Sequence, residues 1–368
     1  MNLYLYASFG NFNEIPAGGG QTSARRLKKT LERLGIVVLP INRHRPQSST
    51  RLLRIFELYW AGIIDIVLLV KNLLFGDRKD TAFLFIGYSG SMLPLEFTIG
   101  SISKMLGYKT IYFLKGGGSD VIYKKEKSLY KCLFRTVLKF CTIVLTEGEV
   151  IENFIRVVSS KSKTFYLPNY TENGFAPDVY PRKPEDQIGI VYLGRICQEK
   201  NILLSVEIFE RLCMRFHNIQ LTIIGNGDSG YEEKVEEKIK QSYYSKHIRR
   251  EGKINHEKLK ELLRTQHIFL FPSNEPREGH SNALNEAMSW GLVPVVSSNN
   301  FLPSIVGDKS LVAQGFEPEE YVRIIAHLIE NRELLEEKSR HMYERVKMNF
   351  TQSVVEERLK TELVKLFE

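Results

Sequence analysis

The chain predicts an α/β protein made of two doubly wound parallel-sheet domains. Three observations carry that prediction. Apolar runs of strand length alternate with helix-length amphipathic segments, glycine or polar clusters punctuate the ends of the apolar runs, and a polar, proline-rich stretch at 168–184 separates two similar series. The 368 residues exceed the length at which one core keeps growing. An apolar fraction of 43% and a charged fraction of 26% are those of a globular chain.

In the first domain, 1–170, the apolar runs 2–7, 37–40, 82–86, 110–114, 142–146 and 164–167 read as strands. Helices are expected near 23–34, 52–75, 95–106, 128–140 and 147–157. The segment 52–75 is the most apolar, but Arg54, Glu57, Asp65 and Lys71 leave no charge-free span of bilayer length. It reads as a buried crossover helix, with seating of Tyr59 and Trp60 in a membrane interface as the other reading. The second domain, 185–350, repeats the scheme from the strand 188–193 onward.

Two constellations carry chemistry. The run 278–294, EGHSNALNEAMSWGLVP, follows an apolar strand at 267–271 that Pro272, Ser273 and Asn274 break. Ser281 or Asn282 can cap a helix whose apolar face is Ala283, Leu284, Ala287 and Met288 and which Gly291 ends. Its first-turn amides are donors for an anion, with Glu278 before them and Glu286 about one turn inside. Such carboxylates can grip sugar hydroxyls; alternatively, Glu286 complements the helix dipole and Glu278 is solvated.

The second constellation follows the strand 188–193. Gly194 and Arg195 leave its carboxyl end, and Lys200 and Asn201 precede the helix 203–212. Open α/β sheets bind ligands at that edge, and two cations beside a glycine suit a diphosphate; a solvated basic loop is the plainer reading.

The ordered set strand-Gly-Arg-x4-Lys-Asn, IIGNG, FPS, E-x7-E-A-M and G-x-x-P-V-V resembles glycosyltransferase family 4 over residues 188–296. The resemblance implies a GT-B architecture, two Rossmann-like domains facing across a cleft, and a retaining enzyme that uses a nucleotide-activated sugar. It places Arg195 and Lys200 on the donor diphosphate, Glu286 on the ribose hydroxyls and Glu278 on the transferred sugar. Arg195, Lys200 and Glu278 are the implied catalytic residues. The rest of the implied donor set is Gly194, Gly225, Asn226, Lys253, Ile254, Gly279, His280, Ser281, Asn282, Ala283 and Leu284. By the same analogy a last helix, 353–368, returns to complete the first domain. The variant REGHSNALNEAM is similar to enzymes that build bacterial surface polysaccharides.

Glycine clusters in the first domain are candidate acceptor loops. Gly18, Gly19 and Gly20 precede the helix expected from Ser23, and Lys115, Gly117 and Asp120 follow the strand 110–114. Ordinary strand-to-helix turns are the other reading. Family members often carry a histidine near the second cluster, where this chain has Leu114-Lys115, so no histidine-based role is expected.

Gly225 to Gly230 matches the dinucleotide fingerprint G-x-G-x-x-G, but Glu232 and Glu233 in the following first turn would repel a pyrophosphate. An NAD-dependent oxidoreductase is therefore set aside, and the segment is read as a turn on the nucleotide side.

Residues 1–180 carry 24 Lys and Arg against 14 Asp and Glu, within a net charge of +8 for the whole chain. A basic first half suits an anionic membrane surface or a lipid pyrophosphate, and a peripheral position at the inner face of the cell membrane. No aromatic-interleaved basic motif, zinc spacing or recognition helix supports a nucleic-acid partner. Cys132, Cys141, Cys197 and Cys213 lack metal spacing and are expected as reduced thiols in a cytoplasmic protein, and residues 1–8 lack the features of a signal peptide. No Asp-x-Asp pair occurs, so no metal or other cofactor is expected. The expected reaction moves a sugar from a UDP- or GDP-linked donor to a hydroxyl of a lipid-linked bacterial polysaccharide. A nucleotide-sugar epimerase of similar build and a non-catalytic sugar-binding protein are the alternatives.

Overall fold

The structure is a computed structural model that describes residues 1–14, 19–44, 50–76 and 80–367. It divides into two compact units, Met1–Leu167 with Glu356–Glu368, and Pro168–Val355.

The first unit holds a six-stranded sheet of β1 (Asn2–Ala7), β2 (Val37–Asn42), β3 (Thr81–Gly87), β4 (Lys109–Leu114), β5 (Ile143–Thr146) and β6 (Thr164–Tyr166), in the order β2-β1-β3-β4-β5-β6. The second holds β7 (Ile188–Leu193), β8 (Ile219–Ile224), β9 (Ile248–Glu251), β10 (Ile268–Phe271), β11 (Val293–Ser297) and β12 (Val312–Ala313), in the order β12-β11-β10-β7-β8-β9. Every pairing is parallel. Helices cover both faces of such sheets, which is why the central strands read as unbroken apolar runs: every residue of β3 and of β10 is buried. Pro40, which has no amide hydrogen to give, lies in β2 at the sheet edge opposite Leu5.

Strand order reverses once in each sheet. In the second unit the chain runs outward from β7 through β8 to β9, then returns to lay β10 on the other side of β7. The carboxyl ends of β7 and β10 therefore flank a topological switch point, the place where open α/β sheets leave a crevice. The first unit has the equivalent reversal between β1 and β3.

Several elements differ from the expectation. The first helix is Gly19–Arg33, so Gly19 and Gly20 lie in its first turn rather than in a loop ahead of it. Gly18 lies outside the described residues. A short helix, Ser119–Lys125, follows the second glycine cluster, and the next but one begins at Glu149, because Glu147 turns inward to pair with Lys115. The last helix, Gln352–Phe367, ends in the first unit, where Glu356 meets Arg33, Glu362 lies 2.7 Å from Lys163, and the Leu366 carbonyl accepts from Lys109 Nζ at 2.5 Å. Among the described residues no helix is long and apolar enough to cross a membrane. The four cysteines are unpaired.

Just before β10, the His267 ring ties the start of the second sheet together. Its Nδ1 accepts from the Gly189 amide at 3.2 Å, and its Nε2 donates to the Pro184 carbonyl at 2.8 Å. Both bonds need the neutral imidazole. Burial pushes its pKa from 6.5 down to about 4. Between those values the unfolded chain holds a proton that the native unit does not, so stability falls as pH drops through that window and is full above it. The effect is expected to reach about 3 kcal/mol. Denaturant midpoints followed from about pH 4.5 to 7 should slope upward with pH in the native sequence and lie nearly flat in His267→Gln; an equal slope in both would assign the dependence to another group.

Candidate functional site

The loops after β7, β8 and β10 build the site in the second unit. After β7 the chain passes Gly194 and Arg195, makes a 3-10 turn at Gln198–Lys200, and enters the helix Ile202–Cys213 through Asn201, whose φ is 56°. That left-handed residue turns Lys200 back over the sheet edge, where Nζ sits 5.1 Å from the Phe271 ring centroid at the end of β10. Lys200 Nζ forms an ion pair with Glu278 Oε2, and both side chains are almost wholly buried. Ser273 Oγ donates to the same carboxylate oxygen at 2.6 Å, and Ser297 Oγ fixes Ser273 by donating to its carbonyl at 2.6 Å.

Arg195 has a carboxylate partner of its own. Its Nη2 lies 3.3 Å from Glu275 Oε2, at a solvent-facing position. The Asn299 side-chain amide holds the Glu275 carbonyl at 2.8 Å, and the Asn274 amide donates to the Glu199 carbonyl at 2.7 Å, joining the loop after β10 to the loop after β7. The arrangement brings together Arg195, Lys200 and Glu278 from the expected set. It adds Ser273 and Glu275, neither of which the sequence reading gave a role. The available signal was the placement of Ser273 directly after the apolar strand and five residues before Glu278.

The helix Asn282–Ser289 begins immediately after this loop. Ser281 is its N-cap, with Oγ accepting from the Leu284 amide at 3.3 Å. Asn282, Ala283 and Glu286 are half-buried on its first turns, Gly279 is half-buried ahead of it, and Leu284 faces the core. The His280 side chain is used internally: it is buried, its Nε2 lies 3.1 Å from Asn285 Oδ1, and its ring packs edge-on to Phe350 at 4.9 Å. Asn285 and Asn169 then bond reciprocally across this point, Asn285 to the Asn169 carbonyl at 2.9 Å and Asn169 to the His280 carbonyl at 2.6 Å.

The glycine-rich turn after β8 has a packing role. A Cβ on Gly225 would lie 1.9 Å from the Gly194 carbonyl oxygen, and one on Gly227 would lie 1.7 Å from that of Ile196. The two loops are joined by Ile196 N–H to Asn226 O and Asp228 N–H to Ile196 O, each at 3.0 Å. The Gly227 amide donates to Glu232 Oε1 at 2.7 Å, and Asp228 caps the Gly230 amide. Amides that a pyrophosphate would need are thus taken by carboxylates of the same helix, which removes the dinucleotide reading on geometry as well as on charge. Lys253 is exposed and Ile254 half-buried on the loop after β9, which reaches the same strip of backbone through Gly225 N–H to Gly252 O at 3.3 Å.

In the first unit Lys115 is buried and bound: 2.5 Å from Glu147 Oε1, donating to Ser23 Oγ, and over the Phe113 ring at 4.5 Å. Glu147 also accepts from the Gly116 amide at 2.8 Å. Gly117 is buried, and Asp120 is half-buried on the helix Ser119–Lys125. With its charge neutralised inside the fold, Lys115 serves to join the ends of β4 and β5.

Residues 179–347, nearly all of the second unit, match the family model for glycosyl transferases group 1. Over 170 residues the chain is 26% identical to a phosphatidylinositol N-acetylglucosaminyltransferase of Arabidopsis thaliana, covering 46% of this chain and 37% of that protein. Over 205 residues it is 27% identical to the capsular polysaccharide biosynthesis glycosyltransferase CapH of Staphylococcus aureus, covering 54% and 55%. The matched stretches thus span between about a third and just over half of the length of these relatives. The structure resembles that of sucrose-phosphate synthase from Thermosynechococcus elongatus with a TM-score of 0.76 at 16% identity, over 100% of this chain and 99% of that one. That likeness shows the GT-B architecture, two Rossmann-like α/β units in one chain. The second unit belongs to the group 1 glycosyl transferases.

Proposed function

We propose that the protein transfers a sugar, with retention of anomeric configuration, from a nucleoside diphosphate sugar carrying UDP or GDP to a hydroxyl of a growing, lipid-linked bacterial polysaccharide at the inner face of the membrane. One observation carries the reading: the buried Lys200–Glu278 pair stands at the switch point of a group 1 glycosyl transferase unit, with Arg195 and the start of the helix Asn282–Ser289 on the adjoining loops.

Each cation of this site is paired with a carboxylate. A buried ion that loses its partner is strongly destabilising, so donor binding has to be an exchange. The donor diphosphate takes Lys200 in place of Glu278, and Arg195 in place of Glu275. The released Glu278 carboxylate, still held by Ser273, accepts from hydroxyls of the sugar, and Glu286 accepts from the ribose hydroxyls. Bond breaking moves negative charge onto the leaving diphosphate while the anomeric carbon becomes cationic. Lys200, Arg195 and the helix amides oppose that charge without a metal ion, as fixed positive potential that needs little reorganisation. The acceptor proton passes to an oxygen of the departing phosphate as the new glycosidic bond forms.

A panel of nucleotide sugars scored by thermal shift should reveal one donor that raises Tm, and that donor should be consumed only when acceptor is added. Turnover of donor alone would identify an epimerase, and binding without turnover under any acceptor would identify a sugar-binding protein. Product NMR reports whether configuration is kept. Arg195→Ala, at an exposed position, should leave folding intact and lower kcat/KM roughly 10²- to 10³-fold; near-normal transfer would remove its assigned role.

Lys200→Met should lower unfolding stability by about 3 kcal/mol because Glu278 is left buried and unpaired. Adding Glu278→Gln to that variant should return much of the loss, and a strictly additive pair of effects would mean that the two side chains do not interact.

A further inference from the structure

We propose that the outward face of the helix Arg51–Leu74 docks on an anionic lipid surface. The inference deepens the lipid-linked acceptor reading above, and its test needs no acceptor.

The helix has its amphipathicity reversed. The side turned to the sheet carries Asp65, Leu69 and Leu73, all buried. Asp65 is satisfied there by the Tyr6 hydroxyl and by His44 Nδ1, both at 2.5 Å. On the opposite side Leu53, Phe56, Trp60, Ile63, Val67 and Leu74 follow one another at helical spacing and are all exposed, and Phe75 at the C-cap is 86% exposed. A helix on the surface of a water-soluble fold places its apolar stripe inward and its charges outward. Here the carboxylate is inside and the apolar stripe is outside. At 24 residues the stripe is about 36 Å long. Contiguous apolar surface of that extent marks an interaction site, since burial of each such side chain contributes about 1.5–3 kcal/mol.

Charge selects the partner. Residues 1–180 carry 24 Lys and Arg against 14 Asp and Glu. Arg51 and Arg54 stand in the first turns of the helix, Lys71 is exposed in line with the stripe in its last turn, and Arg78 and Lys79 follow in sequence. Anionic headgroups gain from such a concentration of cations, whereas a second copy of this basic unit would be repelled by it. Trp60 in the middle of the stripe has an amphipathic ring suited to the headgroup boundary. No described helix is long and apolar enough to cross a membrane, so this one lies in the interface plane.

The full chain is to be sedimented with phosphatidylcholine vesicles, with and without phosphatidylglycerol, while tryptophan emission is recorded. Binding is expected to require phosphatidylglycerol, to weaken as salt is raised, and to shift the Trp60 emission to the blue, a shift that Trp60→Phe abolishes. Phe56→Glu with Ile63→Glu should weaken vesicle binding at least tenfold, and the milder Phe56→Ser with Ile63→Ser several-fold, with the nucleotide-sugar thermal shift unchanged in both. Native protein that stays in the supernatant, or variants that sediment as well as the native chain, would overturn the proposal. So would a native dimer that the variants split, which would assign the face to a second copy. Loss of the thermal shift in the native chain with vesicle binding retained would count against the transferase reading alone.

Discussion

In a parallel sheet every loop that follows a strand leaves from the same edge, and the second unit depends on that constraint. Residues 194–201, 225–228, 252–255 and 272–281 are far apart in sequence, yet they emerge side by side because β7, β8, β9 and β10 all point one way. The reversal between β7 and β10 then keeps the two central loops from being bridged by a crossover helix. Lys200 and Glu278 meet in the space left open. A single antiparallel strand among these four would send one of the loops to the far side of the unit and break the pair.

The loops are braced as firmly as the strands. Glycine at 225 and 227 lets two backbones approach to distances that no side chain tolerates. Asn299, Ser297 and the Asn274 amide tie the segment after β10 to its neighbours. The ionic pair is thus held by groups that carry no charge themselves, and its geometry does not rest on long flexible side chains finding one another in water.

Strands such as β3 and β10 were legible in the sequence because both of their faces are covered, which turns them into plain apolar runs. Ser281 was legible as a cap because a hydroxyl before an apolar helical face has a local reason to be there. Pairings between loops were not legible. Nothing near Arg195 in the sequence announces Glu275, and nothing near Lys115 announces Glu147, since those contacts are made by sheet order rather than by chain neighbourhood. The same gap explains the glycines at 19 and 20: local propensity places them in a loop, while packing of the first helix extends it over them. The G-x-G-x-x-G match misleads for the opposite reason. Its spacing comes from a close approach of backbone to backbone, and a motif records the glycines without recording what they approach.

Asp65 has an effect beyond its own hydrogen bonds. A helix that is apolar all round has no energetic preference for one azimuth over another and could roll about its axis at little cost. A buried carboxylate clamped by Tyr6 and His44 supplies that preference, because any roll would strand a charge in the core. The rotational setting of Trp60, Ile63 and Val67 is therefore dictated from inside the protein, and the chain presents the same row of side chains outward whether or not anything is there to meet it.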